Sequence, residues 1–482
     1  MSLLGLEVGL TGCRALVVSV DGRLLADVGR GYQPSADLQQ CLLDVRGIWS
    51  AVSQTLKEAA ARSRSDPVTS LAIASAIDAF VPLSREGGVL AGCMLADSDL
   101  ELGDGPTLED QLGRERIYEI TGQIHRPKTV LARIGALRRE QPELYRDTWR
   151  FALLGGVVAH LLGALATSDY SVAGGTLAMD MHQRAWSREM LAAAGISPAK
   201  LPALAPGGTP VGTISTRVAA ELDLSPRTVV TLGGSDLACQ ALGVGAVSNG
   251  IAILELGASI HQTAVFRTVP LLSQFQADGL SLTHHLVPDL LLADLVHRAG
   301  GAWLRWFMQE MAPGEQRESS RRGVSLYRIL LGELPATPSP LWVRPMLDGR
   351  QGQAGAIENL TLSTSRGELI KGLLEGAALH NLWVQQRLEL KGVPVRRYRV
   401  TGGGAGMDRW TALCADVLNR PLERTTIAQG AALGAAMLAG IGTGAYGGVP
   451  EAVEAQVRVE HTVEPNPRHH RIYSDRLTHY LG

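Results

Sequence analysis

Lysine is almost missing from this sequence. Only Lys57, Lys128, Lys200, Lys371 and Lys391 occur in 482 residues, and arginine supplies the rest of the 45 basic side chains. That bias reads as base composition rather than function. Against 47 acidic residues the formal net charge is −2. No global positive field is present to hold a phosphate backbone, so a nucleic-acid partner is not expected. Aromatic residues are 5% of the chain, and cysteines number five, scattered at Cys13, Cys41, Cys93, Cys239 and Cys414. An odd set with no CxxC pair and no Cys/His group at zinc spacing excludes a disulfide framework and a structural zinc site, and fits a reducing compartment. Walker A, GxGxxG, HExxH and GxSxG motifs are all absent, which argues against P-loop, Rossmann, zincin and α/β-hydrolase chemistry. His284-His285 and His469-His470 read as surface pairs.

The first residues carry no charged segment ahead of their apolar run, so no signal peptide is expected and the cytoplasm is the expected location. Two uncharged runs, 151–168 and 428–449, approach membrane-spanning length. The second is rich in Ala and Gly at small-xxx-small spacing. Neither has a Lys/Arg-flanked apolar block or an aromatic belt, so both read as buried helices and no membrane partner is expected.

What is present is 45% hydrophobic residues, only 19% charged ones, and 55 glycines. Disorder is excluded, and the length corresponds to roughly two to four domains. Glycine is costly to order and packs no side chain, so such a load implies tight turns and close backbone approaches. The segment 4–26 predicts two strands about a Gly-centred turn, then a hairpin turn at Val20-Asp21-Gly22-Arg23. Helix is predicted near 37–61, strand over 68–74, and helix over 133–165. Thr228 to Leu232 predicts a strand leading into Gly233-Gly234-Ser235-Asp236, and 251–265 a second strand pair. The capping box Ser365-x-x-Glu368 starts a helix that stops at Lys391-Gly392, with Pro394 beyond. Strands alternating with helices imply an α/β architecture. Leu6-Glu7-Val8-Gly9-Leu10-Thr11 is echoed by Leu254-Glu255-Leu256-Gly257-Ala258-Ser259, which is either chance or the trace of a duplication.

Gly9, Gly233-Gly234, Gly257 and Gly402-Gly403-Gly404 each follow a β-rich stretch. Such turns serve chain reversal or let backbone N–H groups cradle a phosphate; four together favour nucleotide binding. Asp236 begins a predicted helix after a strand and is read either as a cap for free amides or as a general base for a substrate hydroxyl. Glu7 is either a solvent-facing strand carboxylate or a ligand for nucleotide-bound Mg²⁺.

Together these residues resemble the FGGY carbohydrate kinases. The similarity rests chiefly on Thr401-Gly402-Gly403-Gly404-Ala405, Trp410, Ala415-Asp416-Val417, Arg420-Pro421 and Ala431-Ala432-Leu433-Gly434-Ala435-Ala436. It extends through Asp169-Tyr170-Ser171, Ala173, Thr176, Asp180, Trp186, the GGxD segment Gly233 to Asp236, and 300–306. The resemblance implies two duplicated ribonuclease-H-like domains of the actin-like ATPase fold with an interdomain cleft, here 1–245 and 246–482. It implies that sugar binds mainly to the first domain and ATP mainly to the second. On this reading Asp236 is the catalytic base, Glu7 and Asp236 face the metal, and Gly9, Thr11, Arg14, Gly257 and Ser259 contact phosphates. Gly402, Gly403, Gly404 and Ala405 border the adenosine, while Asp78, Asp97 and Asp236 face the sugar. The implied cofactors are ATP and Mg²⁺, the partner is a small sugar or polyol, and a homodimer stays open.

The chain departs from the family pattern at both ends of this site. The family's Asp-x-Gly-Thr is Glu7-Val8-Gly9-Leu10, and its Gly-Thr-Ser-Gly is Gly257-Ala258-Ser259-Ile260. Gln-Met-His is replaced by Ala76-Ile77-Asp78, Trp-x-Asp-x-Arg by 96–100, and Gly-Glu-Arg-x-Pro by a shortened 348–352. The expected activity is ATP-dependent phosphorylation of a sugar, sugar acid or polyol. The alternative is a catalytically weak relative that binds sugar or nucleotide as a sensor. A chaperone or filament ATPase on the same fold is disfavoured by the mid-domain pattern.

Overall fold

The computed structural model describes residues 1–32, 42–96, 106–257, 259–267, 273–297, 301–344 and 355–480. Long-range contacts divide the chain into two units. One comprises Met1–Val247, Thr268–Leu292 and Gln429–Arg458; the other comprises Ser248–Arg267, Ala293–Ala428 and Val459–Gly482. The first break lies close to the expected boundary at 245/246, but two later segments return to the first unit.

In chain order the strands of the first unit start with β1 (Ser2–Val8), β2 (Gly12–Ser19), β3 (Leu24–Gly31), β4 (Leu42–Leu43), β5 (Val68–Ser75) and β6 (Ala79–Leu83). They continue with β7 (Cys93–Leu95), β8 (Arg150–Leu153), β9 (Met179–Asp180), β10 (Ala185–Trp186), β11 (Pro210–Thr213) and β12 (Val229–Ser235). The main sheet has the order β11-β12-β5-β1-β2-β3, and β4-β7-β6-β8 form a smaller one. Downstream lie β13 (Ile251–Leu256), β14 (Ile260–Arg267), β15 (Ser281–His284), β16 (Leu290–His297), β17 (Trp342–Arg344), β18 (Ala356–Glu358), β19 (Arg397–Thr401), β20 (Leu422–Thr425) and β21 (Val459–Val463).

The other large sheet runs β15-β16-β14-β13-β19-β20-β21. Apart from its additional edge strand β15, it repeats the first strand for strand. β1 and β13 each pair antiparallel with the next strand and parallel with a later one, β5 or β19. Those strands pair parallel with β12 and β20, which carry antiparallel edge partners, β11 and β21. The six-residue echo in the sequence therefore marks equivalent hairpins in two sheets of one topology.

Alternation along β1 sends Leu4, Leu6 and Val8 into a core with Val52 and Leu56 of the helix Val45–Arg62. The opposite face of β1 meets the helix Gly430–Gly442, which also packs on β5, β12 and the helix Asp236–Gly243. These contacts are made backbone to backbone. A Cβ on Gly434 would stand 1.9 Å from the Cys239 carbonyl oxygen, and one on Gly243 would stand 2.0 Å from that of Gly430. Among the described residues no helix is long and apolar enough to cross a membrane.

The predicted helix over 133–165 is corrected. Helices Val130–Glu140 and Leu154–Leu162 are separated by a short helix, Pro142–Asp147, and by β8, which is drawn into strand by antiparallel pairing with β6. The surface placement of His284-His285 is also corrected, because both rings are buried. His284 Nε2 lies 2.8 Å from the Met181 carbonyl. His285 accepts the Val287 N–H at Nδ1, 2.8 Å away, and its Nε2 lies 3.0 Å from the Ala246 carbonyl. Two fixed backbone partners replace the water that such polar rings otherwise need. His469 and His470 are half-buried, with Nδ1 atoms 2.7 Å from Asp416 Oδ2 and 3.0 Å from the Val417 carbonyl.

Candidate active site

In the first unit β1, β5 and β12 lie side by side and parallel, and their last residues are in register. Val8 pairs with Ser75, and Ser75 with Ser235. Whatever follows these strands emerges at one edge of the sheet: Gly9 after β1, Ala76 to Asp78 after β5, and Asp236 after β12. That carboxyl edge is where open α/β sheets bind ligands.

The first turn is closed by the Gly9 N–H donating to the Gly12 carbonyl at 2.9 Å, which leaves Thr11 exposed. Glu7 and Arg14 are cross-strand partners in the hairpin. Arg14 Nη1 is 2.6 Å from Asp27 Oδ1, and its guanidinium lies against Gly29. Asp27 is thus a partner for Arg14 that sequence reasoning missed. Asp78 follows β5 and faces Arg126 at 3.6 Å, a second missed partner, since nothing in the spacing of 78 and 126 signals their approach. Asp97 and the segment 348–352 lie outside the described residues.

Asp236 opens the helix Asp236–Gly243, but the cap is its neighbour: Ser235 Oγ accepts the Ala238 N–H at 3.1 Å. Asp236 is half-buried at the first helical position, where its Oδ1 takes the Leu237 N–H at 2.8 Å. A carboxylate there is favoured by the free amides and dipole of the helix start. The carboxylates of Asp169, Asp236 and Glu7 all raise the pKa of the fully buried Cys239 thiol, after the larger effect of its burial.

Asp169, quoted above only as part of a pattern, is the most enclosed of them at 2% exposure. It caps the helix Tyr170–Gly174, accepting the Ser171 and Val172 N–H groups and the Ser171 hydroxyl at 2.8, 3.0 and 2.7 Å. Burial pushes its carboxyl up to about 6 despite these three bonds. The signal for it was Asp-x-Ser ahead of a helix, a local capping pattern.

In the second unit β13 and β19 repeat the arrangement, with Glu255 paired to Thr401. The loops that follow are neighbours. Gly257 donates to the Ser259 carbonyl at 3.1 Å and accepts from Gly301 at 2.8 Å; Ala258 lies outside the described residues. Gly402 has φ +80°, and a Cβ there would stand 2.8 Å from the Leu256 carbonyl oxygen. One on Gly404 would stand 2.7 Å from both Leu256 Cβ and Trp410, whereas one on Gly403 would meet nothing within 4 Å. Ala405 is buried beyond them, and its carbonyl accepts from Arg424 at 3.3 Å. A further acid, Asp294, is half-buried in this unit. It accepts from Thr263 at 2.7 Å and stands 4.0 Å from His261, and burial raises its carboxyl.

Gly9, Thr11, Arg14, Glu7, Asp78 and Asp236 thus belong to one unit, and Gly257, Ser259, Gly402, Gly403, Gly404 and Ala405 to the other. Within each unit the predicted residues gather at the carboxyl edge of the sheet.

Comparison with known proteins identifies two family domains along the chain. The family model for the N-terminal domain of the FGGY family of carbohydrate kinases matches residues 2–243, and that for the C-terminal domain matches residues 272–443. The autoinducer-2 kinase of Yersinia pestis bv. Antiqua (strain Angola) is 25% identical over 99% of this chain and 93% of its own length. That of Escherichia coli (strain K12) is 24% identical over 98% and 92%. Among solved structures, a xylulose kinase from Rhodospirillum rubrum superposes with a TM-score of 0.87 at 25% identity, covering 100% of this chain and 98% of its own. A Plasmodium falciparum glycerol kinase with ADP shares the fold at a TM-score of 0.83 and 14% identity, covering 100% and 97%.

Proposed function

The chain belongs to the FGGY family of carbohydrate kinases, and from that premise we propose that it moves the terminal phosphoryl group of ATP to a hydroxyl of a small sugar, sugar acid or polyol, with Asp236 as general base. The observation that carries this is the placement of Asp236. A half-buried carboxylate starts a helix at the carboxyl edge of three parallel strands, in line with the Gly9 turn and Asp78. As the substrate oxygen forms its bond to phosphorus and the bond to the departing ADP oxygen breaks, Asp236 takes the hydroxyl proton. Phosphoryl transfer asks a protein mainly for positioning and charge neutralisation. Backbone N–H groups in the turns at Gly9 and Gly257 are suited to phosphate oxygens, with Thr11 and Ser259 supplying hydroxyls. Gly402, Gly403, Gly404 and Ala405 border the adenosine on this reading, and Asp78 and Arg126 face the sugar.

The donor set fits Mg²⁺, a hard cation that takes carboxylate oxygens and keeps several waters. Glu7 on β1 and Asp236 after β12 supply such oxygens within one unit and would hold it. When bound, the ion supplies charge neutralisation on the phosphates.

The test is ADP release by the purified protein with ATP and Mg²⁺ over a panel of xylulose and other ketoses, gluconate, glycerol and autoinducer-2. Substrate-dependent turnover that disappears in Asp236→Asn supports the proposal. Nucleotide binding with no turnover on any member would point instead to a binding relative, the reading favoured by Leu10 where the family has threonine.

A further inference from the structure

The strand that delivers Asp236 is irregular just before it does so. The pairing of β12 with β5 shifts register between Thr231 and Gly234. Such irregularities re-aim the residues that follow them. The backbone is held there from outside the sheet: Ser171 Oγ accepts the Ser235 N–H at 2.8 Å. The same hydroxyl donates to Asp169 Oδ2 at 2.7 Å, so its single proton is committed and its lone pairs face Ser235. Asp169 is immobilised by the helix N–H groups of Ser171 and Val172. The position before Ser235 is glycine, and a Cβ there would stand 3.0 Å from Ser171 Oγ. The close approach that the bond requires is thus built into the GGxD segment itself.

From this chain of contacts we infer that Asp169 and Ser171 are positioning residues for the reaction, setting the peptide that aims the Asp236 carboxylate. The inference rests on the reading of Asp236 as the base. The carboxylate of Asp169 orients the Ser171 hydroxyl, the hydroxyl fixes the Gly234–Ser235 peptide, and Ser235 in turn caps the helix that Asp236 begins. Neither Asp169 nor Ser171 needs to touch substrate. Their buried hydrogen bonds run within the protein, and removing them loosens the aim of the base rather than its proton affinity. Displacement of a reacting group by about 1 Å costs on the order of 100-fold in rate.

A double-mutant cycle on the full-length enzyme, with the substrate found from the panel, tests this. Ser171→Ala is expected to lower kcat by about 10- to 100-fold while KM for ATP and for sugar change less than about twofold, with the thermal transition and circular dichroism retained. Asp169→Asn, which sets an amide N–H against either the Ser171 or the Val172 donors, is expected to lower kcat in the same way. In an Asp236→Asn background neither substitution should lower the residual rate further, because what it aims is gone. If Asp236→Asn abolishes turnover but Ser171→Ala and Asp169→Asn leave kcat unchanged, the positioning role is overturned and the base survives. If Ser171→Ala lowers the residual rate of Asp236→Asn by its full single-variant factor, the two act independently and the inference also fails. Retention of wild-type kcat in Asp236→Asn would overturn the base itself.

Discussion

At the scale of single residues the most exacting claim concerns Asp236. A positioned general base contributes about 10² to 10⁴ in rate. Asp236→Asn is therefore expected to lower kcat by that range with KM for ATP little changed, measured by coupled ADP release. A second residue-scale expectation concerns His285, whose two backbone partners require one nitrogen to accept and the other to donate. Burial lowers its pKa from 6.5 to about 4. The unfolded chain then binds a proton between pH 6.5 and 4 that the folded chain refuses. The stability His285 contributes is complete above pH 6.5 and is lost as pH falls through 4, amounting to about 3 kcal/mol. Urea titrations across pH 4 to 7 should show a shallower loss in His285→Gln than in the parent. These histidines show why the site was harder to read than the fold. Nothing within a few positions of His285 announces that Ala246 will face it, just as nothing near Asp78 announces Arg126.

At the scale of elements the glycines separate into two kinds. Gly434 and Gly243 permit a helix crossing in which no flexible side chain can yield, because the atoms a Cβ would strike are backbone. Gly434→Ala is expected to destabilise the protein by about 1–3 kcal/mol, read from the urea midpoint, without specific loss of nucleotide affinity. The triple-Gly turn offers an internal comparison. Gly402→Ala faces both a left-handed φ of +80° and the Leu256 carbonyl, whereas Gly403→Ala meets nothing within 4 Å. ATP-analogue binding by calorimetry is expected to weaken in Gly402→Ala and to stay within about twofold in Gly403→Ala if that turn borders the nucleotide only through its backbone. Elements were legible where their signals are local. The capping box at Ser365 and Glu368 and the stop at Gly392 appear as read, on the helix Arg366–Leu390. The run 133–165 was misread because its short strand is specified by β6, not by its own periodicity.

At the scale of the whole chain, a ligand that binds only the folded protein stabilises it by mass action, about 2.7 kcal/mol at a concentration 100 times Kd. An ATP analogue is expected to raise the thermal transition, with a further rise on adding the sugar or polyol that supports turnover. A sugar that raises it without supporting turnover would mark a bound non-substrate. The sequence by itself determined the hairpin-and-glycine unit at Glu7 and again at Glu255, the strand-to-helix turn at Asp236 and the triple-Gly turn. Each depends on backbone geometry and hydrogen bonds within a few residues. The tertiary structure decided the rest. It sent 429–458 back to the first unit, where the Ser70 hydroxyl meets the Ala439 carbonyl 369 positions away. It also buried His284 and His285 and set Ser171 against Ser235 across 64 positions. Such pairings follow from which surfaces are driven out of water together, and a single stretch of sequence does not encode its partner.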